Sequence, residues 1–225
     1  MATISQWTPE HFGKALDRLT EMIVLGKAHI RIARGLGRSV GDDPAIAHVS
    51  RTFWGMTMTA HLDVAQLLAF KLHDERSGTM TVEFLLQRAE DLRGQFRKAS
   101  PQAVDGIVHQ GRCFINSMAA PLKKIRAKRN RVIAHSDPTI IFDPAKLTKA
   151  VELSYSDLDV VFTVTGRILN RLSGAFRDSS ADFDMLGVDD YENAIDLIRD
   201  AKCAQIREYE AEFGPWDHLR PKNCK

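Results

Sequence analysis

Apolar residues recur at intervals of three and four positions along most of the chain, whereas strict alternation of apolar and polar residues is nearly absent. This spacing places apolar side chains along one face of an α-helix, since the helix completes a turn every ~3.6 residues. The pattern therefore predicts an all-α fold with about six helices. We expect four of them to form the core of a bundle, with additional helices around it.

Local signals for helix starts and stops divide this pattern further. Thr8-Pro9 and Ser100-Pro101 each place an N-cap residue before a proline at the first helical position. Gly35-Leu36-Gly37 indicates a helix stop, and Ser156 with Asp159 resembles a capping box. The helices predicted on these grounds cover about 9–34, 44–73, 82–94, 101–134, 156–172 and 189–213.

Between the fourth and fifth predicted helices, Asp137-Pro138 and Asp143-Pro144 favour extended or turn backbone, so we interpret 136–146 as an ordered connector. Residues after about 214 are expected to form a C-terminal extension. No internal repeat or low-complexity segment divides the chain. The sequence therefore predicts a single domain over residues 1–225.

Composition narrows the class of protein. The chain is 44% hydrophobic and 27% charged, values that exclude disordered and fibrous proteins. A net charge of only +2 argues against a surface devoted throughout to nucleic acid. The N-terminus lacks the features of a signal peptide, and no apolar run approaches the ~18 residues of a membrane span. We expect a cytoplasmic protein without membrane contact.

The cysteines and the scattered histidines do not predict a metal site. Cys113, Cys203 and Cys224 lie far apart and form no C-x-x-C pair, so we expect thiols rather than a disulfide framework or a zinc site. Neither His-Glu-x-x-His nor Glu-x-x-His occurs. The sequence predicts neither a bound metal nor a cofactor.

The densest positive charge lies between Lys123 and Arg131, where six of nine residues are cationic and none is acidic. Three apolar residues follow, and after them come His135, Ser136 and Asp137. Cations at a helix C-terminus can simply offset the helix dipole, and a histidine there is stabilised in the same way. A structural role for this segment therefore remains open on charge alone.

The spacing within the segment suggests a more specific interpretation. Residues 129–137 read Arg-Asn-Arg-Val-Ile-Ala-His-Ser-Asp, and this run resembles the Arg-polar-x4-His motif of the HEPN superfamily, in particular its abortive-infection and toxin branch. The resemblance implies a HEPN-like helical bundle that cleaves RNA without a metal ion. It also implies that Arg129, Asn130 and His135 are catalytic, and that two copies of the motif meet in a cleft between the subunits of a homodimer.

Helix geometry constrains how the motif can work. Six residues of ideal helix separate two side chains by about 9 Å along the axis and about 120° around it. Arg129 and His135 therefore cannot share one face of an uninterrupted helix. Either the helix ends or distorts near His135, or a second chain completes the site. Arg131 lies four residues before His135, so it is an alternative candidate for the catalytic arginine.

These residue types suit metal-independent RNA cleavage. Histidine can exchange a proton with the ribose 2′-hydroxyl or the leaving 5′-oxygen, and arginine can bind the charge that develops on the phosphate. Ser136 and Asp137 are supporting candidates, and Asp137 can equally cap the following turn. The cations expected to hold the RNA backbone are Lys123, Lys124, Arg126, Lys128 and Arg131.

Three interpretations of the function follow from the sequence. The first is a HEPN endoribonuclease acting as a toxin or antiphage effector, with an antitoxin protein as a further partner. The alternative is a non-catalytic HEPN-like module that binds RNA, a nucleotide or a protein. A helical scaffold with a merely structural basic segment is the remaining interpretation.

Overall fold

A computed structural model describes residues 7–43, 46, 50–76, 78–130, 153–185, 187–215 and 224. In this part of the chain the regular structure is helical, as the periodicity predicts, with seven α-helices rather than about six. They are α1 (Pro9–Asp42), α2 (Arg51–Leu72), α3 (Val82–Asp91), α4 (Pro101–Ser117), α5 (Ala119–Lys128), α6 (Tyr155–Arg177) and α7 (Asp190–Phe213), with a 3-10 turn at Arg93–Gln95.

The chain divides into two compact units, one formed by Met1–Lys27 and Val64–Asp184 and the other by Ala28–Asp63 and Met185–Lys225. In the first unit, α6 packs against α3, α4 and α5, and α3 packs against α4. Its apolar interior includes an aromatic cluster in which the Phe12, Phe96 and Phe176 rings lie 4.9–5.3 Å apart. Such edge contacts add to the burial of the rings. This unit contains the basic segment on α5.

The second unit has a smaller core around Leu36, Ile46, Trp54 and Ile195. Trp54 is buried, and its indole Nε1 donates a hydrogen bond to the Ile46 carbonyl at 3.1 Å. The indole thus contributes apolar area without leaving its N–H unsatisfied.

The predicted stop of the first helix at Gly35-Leu36-Gly37 is wrong, because α1 continues to Asp42. Leu36 is buried, and a Cβ on Gly35 would overlap the Tyr191 hydroxyl. Gly35 therefore allows α1 and α7 to approach closely within the second unit. A close helix contact and a helix stop both require glycine, and the sequence alone does not distinguish them.

The predicted fourth helix is also divided. α4 ends at Ser117, and α5 begins at Ala119 after Met118, whose φ of −95° and ψ of 12° leave the helical range. Pro121 accounts for the break, because its ring would clash with the carbonyl four residues earlier, which is that of Ser117. The prediction of a single helix over 101–134 is therefore wrong, because it did not allow for this proline.

Several predicted helix starts are confirmed. The Thr8 Oγ1 accepts from the His11 N–H at 3.3 Å, and the hydroxyls of Thr81 and Ser100 accept from Phe84 and Ala103. The capping box is correct in type but wrong in position, since it joins Ser154 and Asp157 rather than Ser156 and Asp159. Two overlapping Ser-x-x-Asp runs compete there, and the earlier one begins α6.

Two of the three cysteines are not thiols, contrary to expectation. Cys203 on α7 and Cys224 are joined by a disulfide bond, with their Cα atoms 5.6 Å apart, while Cys113 is a free and exposed thiol. Twenty-one positions separate the bonded pair, so no short motif signals it. Among the helices that the structure describes, none is long and apolar enough to cross a membrane.

Candidate nucleic-acid site on α5

α5 is anchored by two apolar side chains and presents its cations elsewhere. Leu122 and Ile125 are buried, and α5 packs against α6. Lys123 is exposed, while Lys128 is partly buried. Burial of positions three apart leaves the intervening cations at the edges and outer face of the helix. The fold thus directs part of the predicted basic surface towards solvent.

The motif residues Arg129 and Asn130 lie where the α-helix changes its winding. α5 ends at Lys128, and the backbone enters a π-helical turn at Arg129 and Asn130. Such turns widen the helix and are frequent at functional sites. The regular winding of α5 therefore ends before Arg129, whereas the sequence placed a helix end or distortion near His135 as one of two alternatives.

Two contacts fix the Arg129 guanidinium. Its carbon lies 4.7 Å from the centroid of the Phe70 ring on α2, and Nη1 donates to the Asn130 Oδ1 at 2.9 Å. The ring stabilises the flat cation, and the amide holds its orientation. Asn130, which the resemblance implies to be catalytic, contacts the arginine here.

Two of the predicted RNA-binding cations are paired within the chain. The Lys124 Nζ lies 3.0 Å from an Asp157 oxygen, and the Arg126 Nη1 lies 2.7 Å from a Glu75 oxygen. Burial alone raises the pKa of Asp157, but hydrogen bonds from Ser154 and Lys124 outweigh this effect and the pKa lies below its usual value. Any anion that binds at these cations must therefore compete with the two carboxylates.

A buried histidine that the sequence did not single out lies beside this helix. The His73 Nε2 is 2.8 Å from the Thr165 Oγ1, and the Arg126 Nη2 approaches the His73 carbonyl at 3.4 Å. Burial lowers the pKa of His73 to about 4, and the Arg126 charge adds to this shift. His73 is therefore neutral near pH 7 and supports the site without titrating there.

Two other histidines, expected to be scattered, meet in the second unit. The Nδ1 atoms of His29 on α1 and His61 on α2 are 2.7 Å apart. Burial lowers the pKa of His29, and the neighbouring His61 lowers it further. In the described ranges no third histidine, cysteine or carboxylate joins them to form a metal cluster. Thirty-two positions separate the pair, so no local spacing could have revealed it.

The remaining motif residues lie outside the part of the chain that the structure describes. These are Arg131, His135, Ser136 and Asp137. The connector predicted over 136–146 lies there as well. The structure thus brings Arg129, Asn130 and Arg126 into one region, and the roles of the other four residues stay predictions.

The all-α fold of the described residues, with an Arg-Asn pair at a distorted helix end, is consistent with the class of HEPN-like helical proteins. The family model HEPN_AbiU2, described as AbiU2, matches residues 10–197. The chain therefore belongs to the AbiU2 family, an abortive-infection branch of the HEPN superfamily. No curated protein and no solved structure matches it. The resemblance inferred from residues 129–137 is confirmed at the level of the family.

Proposed function

We propose that this protein is a metal-independent endoribonuclease that acts as an abortive-infection or toxin effector. Family membership supports the biological setting. The observation that carries the chemistry is the fixed Arg129 guanidinium, held by Phe70 and Asn130 at the π-helical turn. A cation oriented before substrate arrives stabilises developing phosphate charge without having to reorganise.

In the proposed mechanism the attacking group is the 2′-hydroxyl of the RNA itself. His135 accepts the proton of this hydroxyl or donates one to the 5′-oxygen that leaves. Arg129 binds the phosphoryl oxygens as their charge grows, and Asn130 positions Arg129. Attack by the 2′-oxygen and departure of the 5′-oxygen leave a 2′,3′-cyclic phosphate and a 5′-hydroxyl.

The proposed site belongs to a homodimer, in which two copies of the motif line one cleft. Lys123, Lys128 and Arg131 hold the RNA backbone on either side of it, and Ser136 and Asp137 support His135. Lys124 and Arg126 join them only when RNA phosphate displaces their carboxylate partners. An antitoxin protein that covers this cleft is a further proposed partner.

The alternative function is a HEPN-like binding module that does not cleave RNA. The ion pairs of Lys124 and Arg126 favour it, because paired cations serve the fold and attract RNA less strongly. On this alternative the Arg129 contacts with Phe70 and Asn130 stabilise the end of α5 and have no catalytic purpose.

A cleavage assay separates the two functions. End-labelled single-stranded RNA is incubated with the wild-type protein, His135→Ala and His109→Ala, all with excess EDTA. His109 is an exposed histidine on α4 and serves as the matched control. We expect cleavage by the wild type and by His109→Ala, with a loss of roughly 10²- to 10⁴-fold in His135→Ala. Binding of RNA by the wild type without any cleavage would establish the alternative instead.

A further inference from the structure

A cavity of about 440 Å³ lies beside the motif, within the first unit. We call it the 73–126 pocket, because it is bounded by His73 and the loop that follows, the start of α3, Ile115 on α4 and Arg126 on α5. Its volume lies in the range of roughly 300–1,000 Å³ that is typical of small-molecule sites. The pocket is therefore large enough for an organic group.

Each charged side chain that lines the pocket is paired with an opposite charge. The Arg76 Nε donates to an Asp74 oxygen at 2.7 Å, and Arg126 pairs with Glu75 at the same distance. The remaining acid, Glu83, is 2.9 Å from the Arg112 Nε. His73 is neutral near pH 7 because burial lowers its pKa to about 4. A pocket whose cations are already paired with carboxylates suits an uncharged ligand better than a phosphate.

The walls and the rim differ in chemistry. Phe84 and Ile115 provide apolar surface, and Phe84 is held in place by the Trp7 ring at 5.2 Å and the Arg88 guanidinium at 5.1 Å. Gln87 stands at the exposed rim, where its amide can both donate and accept hydrogen bonds. An apolar wall that contains an aromatic ring, with an amide beside it, matches a nucleobase, which has an apolar face and a polar edge.

The pocket adjoins the proposed catalytic arginine. Arg126 and Arg129 are three residues apart, so they lie on neighbouring faces of one helix end. The Arg129 guanidinium lies 4.7 Å from the centroid of the Phe70 ring, near the end of α2 and three residues before the pocket residue His73. Arg129 therefore lies close to the start of the loop that lines the pocket. A phosphate held by Arg129 would leave an adjacent base within reach of this cavity.

We propose that the 73–126 pocket binds one nucleobase of the RNA whose phosphate Arg129 holds, and that it determines the base preferred beside the cleaved bond. This inference rests on the proposed function for its substrate. The basic segment contributes affinity without reading sequence, whereas the pocket reads one base by stacking and by hydrogen bonds to its edge.

A binding titration tests the pocket without any cleavage. The four nucleoside 5′-monophosphates and ribose 5-phosphate are titrated separately into the protein, and nuclear magnetic resonance shifts give each Kd. We expect at least one nucleotide to bind about tenfold more tightly than ribose 5-phosphate, which lacks the base. Equal affinity for ribose 5-phosphate and every nucleotide overturns the proposal, because it assigns binding to phosphate alone.

Three variants locate the binding. Ile115→Trp fills the cavity and should weaken nucleotide binding more than tenfold, while Gln87→Ala should weaken it about two- to tenfold through the lost hydrogen bond. Gln102→Ala removes an exposed amide elsewhere on α4 and should match the wild type. Unchanged affinity in a folded Ile115→Trp protein overturns the proposal. If this variant does not fold, unchanged affinity in Gln87→Ala does so.

The two proposals fail separately. Nucleotide binding by a protein that never cleaves RNA refutes the nuclease and leaves the pocket in place. Cleavage by a protein that binds no nucleotide refutes the pocket alone. In an active protein, Gln87→Ala should also reduce the base preference next to the cut, measured by sequencing the products, whereas Gln102→Ala should not. An unaltered preference in Gln87→Ala contradicts the specificity role.

Discussion

At the scale of single residues, the Arg129 guanidinium is the best-defined group of the motif. Phe70 stacks against it at 4.7 Å, and Asn130 accepts one of its hydrogen bonds. A guanidinium carries five N–H donors, and among the contacts with described residues Asn130 accepts from one nitrogen of Arg129. Arg131 competes for the same role by its spacing from His135, and a comparison of the two arginines therefore tests the proposed site directly.

We expect Arg129→Ala to lower kcat for RNA cleavage by about 10²- to 10³-fold, because it removes preorganised charge stabilisation. Arg131→Ala should lower it only a few-fold, as expected for loss of one phosphate contact. Both are measured at saturating RNA, with circular dichroism to verify folding. Arg129→Lys keeps the charge but loses the planar fork, so it should recover only part of the activity. The opposite ranking of Arg129 and Arg131 would transfer the catalytic role to Arg131.

His73 makes stability depend on pH. Its pKa is about 4 in the folded protein and about 6.5 when unfolded, so the unfolded chain binds the extra proton first. The stabilisation is fully present above pH ~6.5 and is lost as the pH falls towards 4. The shift corresponds to roughly 3 kcal/mol in the free energy of unfolding. Urea unfolding between pH 7.5 and 4.5 measures this loss in the free energy of unfolding.

His73→Gln supplies the control for this dependence, because glutamine can retain a hydrogen bond to Thr165 but does not titrate. Carboxylates with lowered pKa values, such as Asp74 and Asp157, add their own loss of stability at the acidic end. They remain in both proteins, so the difference between wild type and variant isolates His73. If the free energy of unfolding changes with pH by the same slope in both proteins, His73 is not the titrating group.

At the scale of helices, two glycines that both lie inside helices are expected to have opposite effects on stability. Gly26 is buried on α1, and a Cβ there would overlap the ring of Phe162, which is fully buried on α6. Gly106 is exposed on α4, and a Cβ there would meet nothing within 4 Å. The first permits a close helix contact, whereas the second only lowers helix propensity.

Gly26→Ala should therefore destabilise the protein by about 1–3 kcal/mol, because the buried ring has little room to move. Gly106→Ala should stabilise it by about 0.5–1 kcal/mol, as expected for alanine inside an exposed helix. Thermal and urea unfolding of both variants provide the comparison. Similar effects of the two substitutions would contradict the packing assigned to α1 and α6.

At the scale of the whole molecule, the proposed site needs two copies of the chain. If Arg129 of one subunit acts with His135 of the other, two inactive variants can complement each other. A dimer of Arg129→Ala with His135→Ala then contains one site with both residues intact. Random exchange of subunits should restore about a quarter of the wild-type activity, because half of the dimers are mixed and each has one working site.

This experiment uses separately purified variants that are mixed, exchanged and assayed on labelled RNA, with each variant alone as the control. Sedimentation at micromolar concentration should show a dimer for all of them. A monomer in sedimentation would contradict the dimeric cleft. Inactive mixtures of fully exchanged dimers would place Arg129 and His135 of one site on the same chain.

Features that depend on neighbouring residues were predictable from the sequence. Helical periodicity predicted the all-α fold, and hydroxyl side chains before proline predicted the caps at Thr8 and Ser100. The run from Arg129 to Asp137 identified the superfamily. These signals act over a few residues, so the information needed to read them lies within one short segment.

Features that depend on distant partners were decided only by the tertiary structure. Gly35 faces Tyr191, His73 pairs with Thr165, and Cys203 is bonded to Cys224. The stacking of Arg129 on Phe70 likewise joins α2 to the end of α5. Local sequence specifies which groups can make such contacts but not which partners meet. Packing determines those partners, since a buried combination of side chains is stable only if it both fills space and satisfies its polar atoms.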